Sequence, residues 1–398
     1  MNKQPLDGVK VLELGSLIAG PFAGRLFGDF GAEVIKVEPP KVGDPLRKWR
    51  LLKDGTSLWW YVQSRNKKCI TLNLRTKEGS EIIKKLAKEV DIIIENFKPG
   101  TLEKWGIGYE DLKKINPKII MVRISGYGQY GPYSSKPGFG SIGEAMGGIR
   151  YLSGYPDLPP VRTGISIGDS ISAIYAVMSA MMALYHRDIN GGEGQYIDVA
   201  LYEAVFSMME SMVPEFDHFK YIRERTGSTL PGIAPSNIYL CKDGKYVVIG
   251  ANGDSIFKRL CEAMNRDDLA QNEEFASNDG RAKNMKYLDE QIEQWTKTMD
   301  IDSALKILDE YKIPAGKIYS VEDMFSDPHF EARDMIQSVK IDEKDDLKVP
   351  GIMPKFSKTP GKIKWAGKGL GADNKEIYHD VLGFSTKQIE EMEGNGII

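Results

Sequence analysis

A strand–turn–helix–strand pattern recurs through the first third of the chain, and it restricts the fold more than any other feature. Residues 9–14 alternate in polarity and are rich in β-branched side chains. A glycine-rich link, 15–21, follows, then a predicted helix over 22–30 stopped by Gly31, and a second strand over 33–38 closed by Pro39 and Pro40. The pattern returns in a strand over 69–74 and an amphipathic helix over 77–88, with Ile82, Ile83 and Leu86 on one face. Short strands over 91–95 and 119–124 come next. Strands that alternate with helices build parallel sheets, because each helix carries the chain back to the starting edge. The expectation is a doubly wound α/β domain.

Further along, Ile171, Ile174, Tyr175, Met178, Met181, Met182 and Tyr185 fall at helical spacing and predict a long helix over 171–186. Such an apolar stripe reads as core packing. A strand over 195–199 and an apolar helix over 201–212 follow. The character changes near Pro214, and 223–237 is polar and turn-rich. A smaller α+β unit is then expected, with strands over 245–249 and 315–321 and helices near 255–264, 287–298 and 303–311. Beyond about residue 325 the chain is rich in Asp, Lys, Pro and Gly and reads as a long traversing segment. It ends in a terminal helical unit over 375–382 and 386–392. The 398 residues suit two domains of roughly 100–200 residues each. The expected division is 1–212 and 326–398 for a large Rossmann-like domain, with 213–325 between them as a linker and small α+β domain.

Composition removes several function classes. Net charge is −3 and cations are spread along the chain, so the basic stripe of a nucleic-acid binder is missing. Cys69, Cys241 and Cys261 are far apart, and His186, His218, His329 and His379 lack metal-ligand spacing, so neither a disulfide framework nor a zinc site is expected. The opening residues lack a signal peptide's apolar stretch, and no run of about 18 apolar residues marks a membrane span. The expectation is a cytoplasmic protein with no membrane or nucleic-acid partner.

Several residues are placed to carry chemistry. Gly15, Gly20 and Gly24 surround the first β–α turn, where backbone N–H groups can meet a phosphate, and Glu38 ends the next strand as in a dinucleotide site. The full GxGxxG fingerprint is absent, which leaves a tight turn for helix–strand packing as the plainer reading. Asp169 stands just before the predicted long helix. Aspartate there is a preferred N-cap. The same geometry keeps a carboxylate ionised and competent as a nucleophile, and Gly168 before it removes bulk from a substrate's approach. The loops 127–133 and 137–140 combine aromatics with glycines, and 96–100 follows a parallel strand, where open sheets bind ligands.

Taken together, Ala19-Gly20-Pro21, the stretch 31–39, Gly43-Asp44-Pro45, Asn66-Lys67-Lys68, 95–100, Gly126-Tyr127-Gly128, Gly168-Asp169 and 192–195 resemble the class III CoA-transferases (CaiB/BaiF, formyl-CoA transferase-like) in order and spacing. The resemblance implies a Rossmann-like domain built from both chain ends, a smaller domain between them, and two protomers interlocked as a homodimer. A heteromer is the other possibility. It implies Asp169 as the nucleophile that attacks a donor acyl-CoA, probed through an aspartyl anhydride and an enzyme-bound aspartyl-CoA thioester, with no permanently bound cofactor and no metal. The substrates would be an acyl-CoA, succinyl-CoA by branch, and a small carboxylic acid. Ile18 matches a position beside the thioester, Leu72 and Arg75 positions near adenine and phosphates, and Asn96 and Phe97 positions along the nucleotide and pantetheine. Lys104 and Lys136 lie where some members place cations for CoA phosphates.

The departures narrow the substrate. Formyl-CoA transferase has Gln where this chain has Ile18, Arg in place of Pro39, and a Tyr-Glu pair in place of Phe139-Gly140. Its run of four glycines corresponds here to 227–232. These changes argue against formyl-CoA and oxalate, and the stretch 223–237 resembles members that use succinyl-CoA with small di- or hydroxy-carboxylic acids. A carnitine-type acceptor is an alternative within the family, and an idle subunit of a heteromeric enzyme is disfavoured by Asp169. An α-methylacyl-CoA racemase of the same fold needs two acid–base groups, and Phe139 stands where its histidine belongs.

Overall fold

The computed structural model describes residues 3–343 and 345–398, which divide into two compact units. The first gathers the residues up to 150, 163–221 and 331–398; the second comprises 151–162 and 222–330. The short segment 151–162, on sequence grounds part of the large domain, therefore belongs with the smaller unit.

The first unit is built on six parallel strands: β1 (Lys10–Glu13), β2 (Glu33–Glu38), β3 (Lys67–Thr71), β4 (Ile92–Glu95), β5 (Ile120–Ser125) and β6 (Tyr196–Ala200), in the order β3-β2-β1-β4-β5-β6. Leu12 pairs in register with both Ile35 and Ile93. Side chains alternate across a strand, so each strand feeds two cores. Leu12, Ile35, Ile70 and Ile93 face one side, with α2 (Lys77–Leu86) and Ile377 and Tyr378 of the terminal segment packed there. Val11, Val34, Ile92 and Ile94 face the other, covered by α1 (Ala19–Asp29) and the long helix 167–188. The order reverses between β1 and β4, and the carboxyl ends of those strands open a crevice.

Three further helices stand at the β5–β6 end: α3 (Gly140–Met146), α4 (Ile167–Asp188) and α5 (Leu201–Phe206). The predicted helix over 201–212 ends at Phe206, and a separate helix, α6 (Met212–Phe219), follows. The Met-rich stripe of α4 is not core in this chain. Ala173, Ala176, Ala180 and Ala183 are the buried face, while Ile174, Met178, Met181, Met182 and Tyr185 are exposed, Met182 at 62% and Tyr185 at 60%. Small side chains let the helix sit close on α1, β5 and β6, so the alanine face won the sheet. The 22-residue α4 holds an 18-residue window of mean hydropathy 1.5, long and apolar enough by length and composition to cross a membrane. Its alanine face is occupied by the sheet instead.

The residues after 331 return to the first unit. Where a structureless traverse was expected, β10 (Ile336–Lys340) and β11 (Asp346–Pro350) form an antiparallel hairpin with Val339 and Val349 buried. The chain then clasps the sheet edge at β3. Asp373 accepts the Cys69 N–H at 2.7 Å, Asn374 accepts the Thr71 N–H at 2.9 Å, and the Tyr378 hydroxyl donates to the Thr71 carbonyl at 2.6 Å. Open strand edges invite unwanted pairing; this one is covered.

In the second unit, β7 (Ser236–Leu240), β8 (Tyr246–Gly250) and β9 (Ala315–Lys317) form an antiparallel sheet with β8 central. Helices Asp254–Ala263, Met285–Thr296 and Ile301–Glu310 supply Phe257, Leu260, Leu288, Ile292, Ala304 and Leu308 to its core.

Candidate active site

A cavity of about 590 Å³ opens at the crevice outside β1, β2 and β4. Its walls include Gly15 and Ser16 after β1, Glu38 to Pro40 after β2, the turn 41–45, Leu72 to Arg75 after β3, and Phe97 with Trp105. Phe97 and Trp105 meet edge to face at 5.3 Å between centroids, giving the cavity an aromatic side.

At and beneath the floor lies a set of buried charges, of which the sequence reading singled out only Glu38. Lys36 Nζ sits 2.9 Å from Asp44 and 3.1 Å from Glu13, and Lys67 Nζ sits 2.7 Å from Glu13. Arg47 grips Glu38 in a two-point pair at 2.7 and 2.8 Å. Burial opposes the Lys36 charge, but Asp44, Glu13 and Glu38 together raise its pKa. Burial opposes the Asp44 charge as well; Lys36 and the N–H groups of Leu46 and Leu17 outweigh it and hold the carboxyl below its ordinary value. Burial pulls the Lys67 ammonium down, with Glu13 resisting, and pushes the neighbouring Cys69 thiol up to about 12. The signal for this set was present in the sequence: Glu13, Lys36, Glu38 and Lys67 stand within or at the ends of otherwise apolar strands, where a charge needs a partner.

These contacts settle the dinucleotide reading of the first turn. Glu38 has both oxygens on Arg47 and also accepts the Asp44 N–H at 2.9 Å, so a ribose has no claim on it. The Ser16 and Leu17 N–H groups are spent on Asn96 and Asp44. Gly15 and Gly20 pack against one another, and a Cβ on Gly24 would collide with the Glu13 carboxylate. The glycines serve close packing.

The Asn66 motif is likewise structural. Arg65 holds Asp29 in a two-point pair at 2.9 and 2.6 Å, Asn66 accepts the Lys364 N–H at 2.7 Å and donates to the Lys362 carbonyl at 2.9 Å, and Lys67 donates to the Pro21 carbonyl at 2.7 Å.

Asp169 occupies a separate part of the same unit. It is the third residue of α4, whose N-cap is Ser166, so it is not the cap that the sequence suggested. The helix starts at Ile167, four residues before the predicted start, which brings Asp169 inside the first turn, where the dipole favours negative charge. Its carboxylate lies on Gly140: a Cβ added there would overlap Oδ2 and stand 2.8 Å from Cγ. Gly168 does not open a path for substrate. It is buried, and a Cβ on it would meet the Gly140 carbonyl at 3.1 Å and Glu144 at 3.2 Å. Gly143 and Gly147 press on Leu201 and Val205 of α5 in the same manner. Small residues thus draw α3, α4 and α5 together and fix the carboxylate. Gly138 folds back on Gly126, just past β5, which sets Gly140 and Asp169 near the carboxyl end of that strand.

Of the candidate contact residues, Leu72, Arg75 and Phe97 line the cavity, Leu72 buried and Arg75 exposed. Asn96 stands behind the wall, accepting the Ser16 N–H at 2.8 Å and donating to its carbonyl at 2.9 Å. Ile18 is buried at the start of α1, where its carbonyl takes Gln63 Nε2 at 3.0 Å. Lys104 and Lys136 are exposed and outside the cavity wall; Lys104 adjoins Trp105, and Lys136 lies over the Tyr133 ring at 3.8 Å. Among the described residues no cluster of His, Cys, Asp and Glu has metal-binding geometry.

The CoA-transferase family III model matches residues 6–374. A Chloroflexus aurantiacus protein named succinyl-CoA–D-citramalate CoA-transferase is 50% identical over 396 residues, 99% of this chain and 98% of its own length. The beta subunit of a succinyl-CoA–L-malate CoA-transferase from the same organism is 38% identical, with 99% and 98% covered. A CaiB/BaiF family crystal structure from Brucella suis superposes with a TM-score of 0.83 at 35% identity, over 96% of this chain and 100% of that one. The chain belongs to CoA-transferase family III and is an enzyme that transfers CoA.

Proposed function

We propose that this enzyme moves CoA from succinyl-CoA to a small hydroxy-dicarboxylic acid of the citramalate kind, with Asp169 carrying the acyl group. The observation behind the mechanism is the Asp169 carboxylate, held on Gly140 within the first turn of α4. The substrates are supported by the names of relatives that match nearly the whole chain, one naming D-citramalate and one, a beta subunit, naming L-malate.

The reaction proceeds by exchange of activated carboxyl groups. The Asp169 carboxylate attacks the succinyl thioester carbonyl, the C–S bond breaks, and CoA leaves as thiolate from a succinyl–aspartyl anhydride. The thiolate attacks the aspartyl carbonyl, releasing succinate and leaving an aspartyl-CoA thioester. The acceptor carboxylate attacks that thioester, again expelling thiolate, and thiolate then attacks the acceptor side of the new anhydride. The products are the acceptor's CoA ester and free Asp169 carboxylate. The site's tasks are to keep Asp169 ionised and to exclude water from the anhydrides.

The cavity suits the CoA end. Leu72, Phe97 and Trp105 offer an apolar and aromatic surface to an adenine, and Arg75 at the rim offers a cation to phosphate. Lys104 and Lys136 are assigned to phosphate contacts from outside the wall, and Ile18 and Asn96 act through the shape of the first turn.

The assembly we assign is an interlocked homodimer. The reading is supported by the exposed apolar face of α4 and by the exposed Phe206, Val213, Phe216 and Phe219 in the segment that follows, since large exposed apolar surface marks interaction sites. Three free, buried cysteines suit the reducing cytoplasm, where we place the enzyme.

The test is mass spectrometry of CoA esters formed from succinyl-CoA with citramalate enantiomers, malate, mesaconate, itaconate, glutarate, oxalate and carnitine. Wild type is expected to make citramalyl-CoA, and Asp169→Ala to make none while keeping its fold. Turnover by Asp169→Ala at the wild-type rate would overturn the mechanism; oxalate or carnitine as preferred acceptor would overturn the substrate.

A further inference from the structure

Asp44 is the most heavily engaged side chain at the cavity, and no step of the proposed reaction uses it. It is 1% exposed. Its two oxygens accept the Leu17 N–H at 3.1 Å each, Oδ1 accepts the Leu46 N–H at 2.9 Å, and Oδ2 accepts Lys36 Nζ at 2.9 Å. The rest of the turn after β1 is held in the same way. Asn96 takes the Ser16 N–H and returns one of its own to the Ser16 carbonyl, and Lys36 Nζ also donates to the Gly15 carbonyl. Three consecutive residues, Gly15 and Ser16 of the cavity wall and Leu17 beside them, are therefore clamped by side chains from three other segments. Leu17 has φ 66, a left-handed backbone that leucine seldom adopts, and the Asp44 carboxylate is its hydrogen-bond partner there.

In an open parallel sheet, the first β–α turn beside the switch point commonly gathers N–H groups around a phosphate. Here the gathered donors, two backbone N–H groups and an ammonium, already surround a carboxylate from the chain itself. We infer that Asp44 is a built-in anion: it fills the place a phosphate takes in such turns, bars phosphate from the turn, and fixes residues 15–17 as a rigid wall for the acyl-CoA. The phosphates of the substrate are thereby left to the rim. Asp44 is a positioning residue, since its carboxylate is fully used inside the protein.

The kinetic part of this inference rests on the proposed CoA-transfer reading; the anion part does not. Asp44→Ala leaves the Leu17 and Leu46 N–H groups and Lys36 converging on an empty space, and unsatisfied buried donors are costly. A small free anion is expected to fill it. The probe is inorganic phosphate, followed by calorimetric titration and by thermal midpoint against sodium chloride at equal ionic strength. Asp44→Ala should bind phosphate saturably and gain several degrees, about 5, beyond chloride, whereas wild type should gain no more than it does from chloride. With succinyl-CoA, Asp44→Asn should raise KM about tenfold while kcat changes less than about threefold, the split expected of lost ground-state positioning. A folded Asp44→Ala with no phosphate-specific gain, or Asp44→Asn with wild-type KM, overturns the inference. Should Asp44→Ala fail to fold, Asp44→Asn, which keeps one acceptor oxygen, decides alone. If Asp169→Ala retains turnover the reaction reading falls, and the phosphate titration still decides the role of Asp44.

Discussion

Gly140 shows how tightly the proposed nucleophile is set. Its missing side chain is the space that the Asp169 carboxylate occupies. Gly140→Ala should therefore push the carboxylate aside by about the radius of a methyl group, and displacements near 1 Å cost about 100-fold in rate. We expect kcat to fall by about that factor, with circular dichroism unchanged, because alanine favours the helix; wild-type kcat would show that Asp169 acts from elsewhere. The residue scale is also where the sequence was least complete. The proposal of Asp169 came from the Gly168-Asp169 motif and its neighbours. Its place within α4 was not legible, because Gly168, Asp169 and Ser170 interrupt the apolar pattern that marks the helix, although Ile167 stands one turn before Ile171. For Lys36 and Asp44 it was the pairing that stayed hidden. A charge such as Lys36 within an apolar strand signals the need for a partner, but only the fold brings the turn that carries Asp44 onto it.

At the scale of elements, the parallel strands were readable because their apolar runs are short and separated by helices. The second unit's β7 and the hairpin of β10 and β11 were missed: their buried positions are few, with burial confined to Val339 and Val349 across ten strand residues in the hairpin. The helix α4 was found, but periodicity could not say which side met the sheet. It carries two apolar faces, alanines at 173, 176, 180 and 183 and the larger Met and Tyr side chains opposite. The latter face is the one assigned to the partner protomer. Met182→Glu sets a charge in that surface, and burying an unpaired charge is strongly unfavourable. Light scattering is expected to give half the wild-type mass. A variant that stays dimeric would move the interface off α4.

For the whole molecule, buried charges set the response to pH. The Asp44 carboxyl, held below its ordinary value of about 3.9, contributes stability above that value and loses it as pH falls through the lower folded value. Glu95 moves the other way. Burial pushes it up to about 7 despite the Arg123 guanidinium at 2.8 Å, so its contribution is full below the ordinary glutamate value and fades as pH rises through about 7. Lys36, raised by its carboxylates, keeps its contribution until alkaline pH. The denaturation midpoint should peak between about pH 4 and pH 6 and decline through neutrality. A midpoint that climbs steadily to pH 8 would contradict the Glu95 assignment.

The clasp on β3 carries a consequence for how the protein is made. Ribosomes deliver the chain from its amino end, and domains tend to fold as they emerge. The strand that Asp373, Asn374 and Tyr378 cover is synthesised some three hundred residues before those partners exist. Once β6 has emerged the large unit has its sheet but not its border, and by residue 330 the second unit has every strand and helix it needs. The part of the protein begun first is thus finished last, and premature termination anywhere before residue 373 leaves a nascent product with a sticky seam that only the final segment can close.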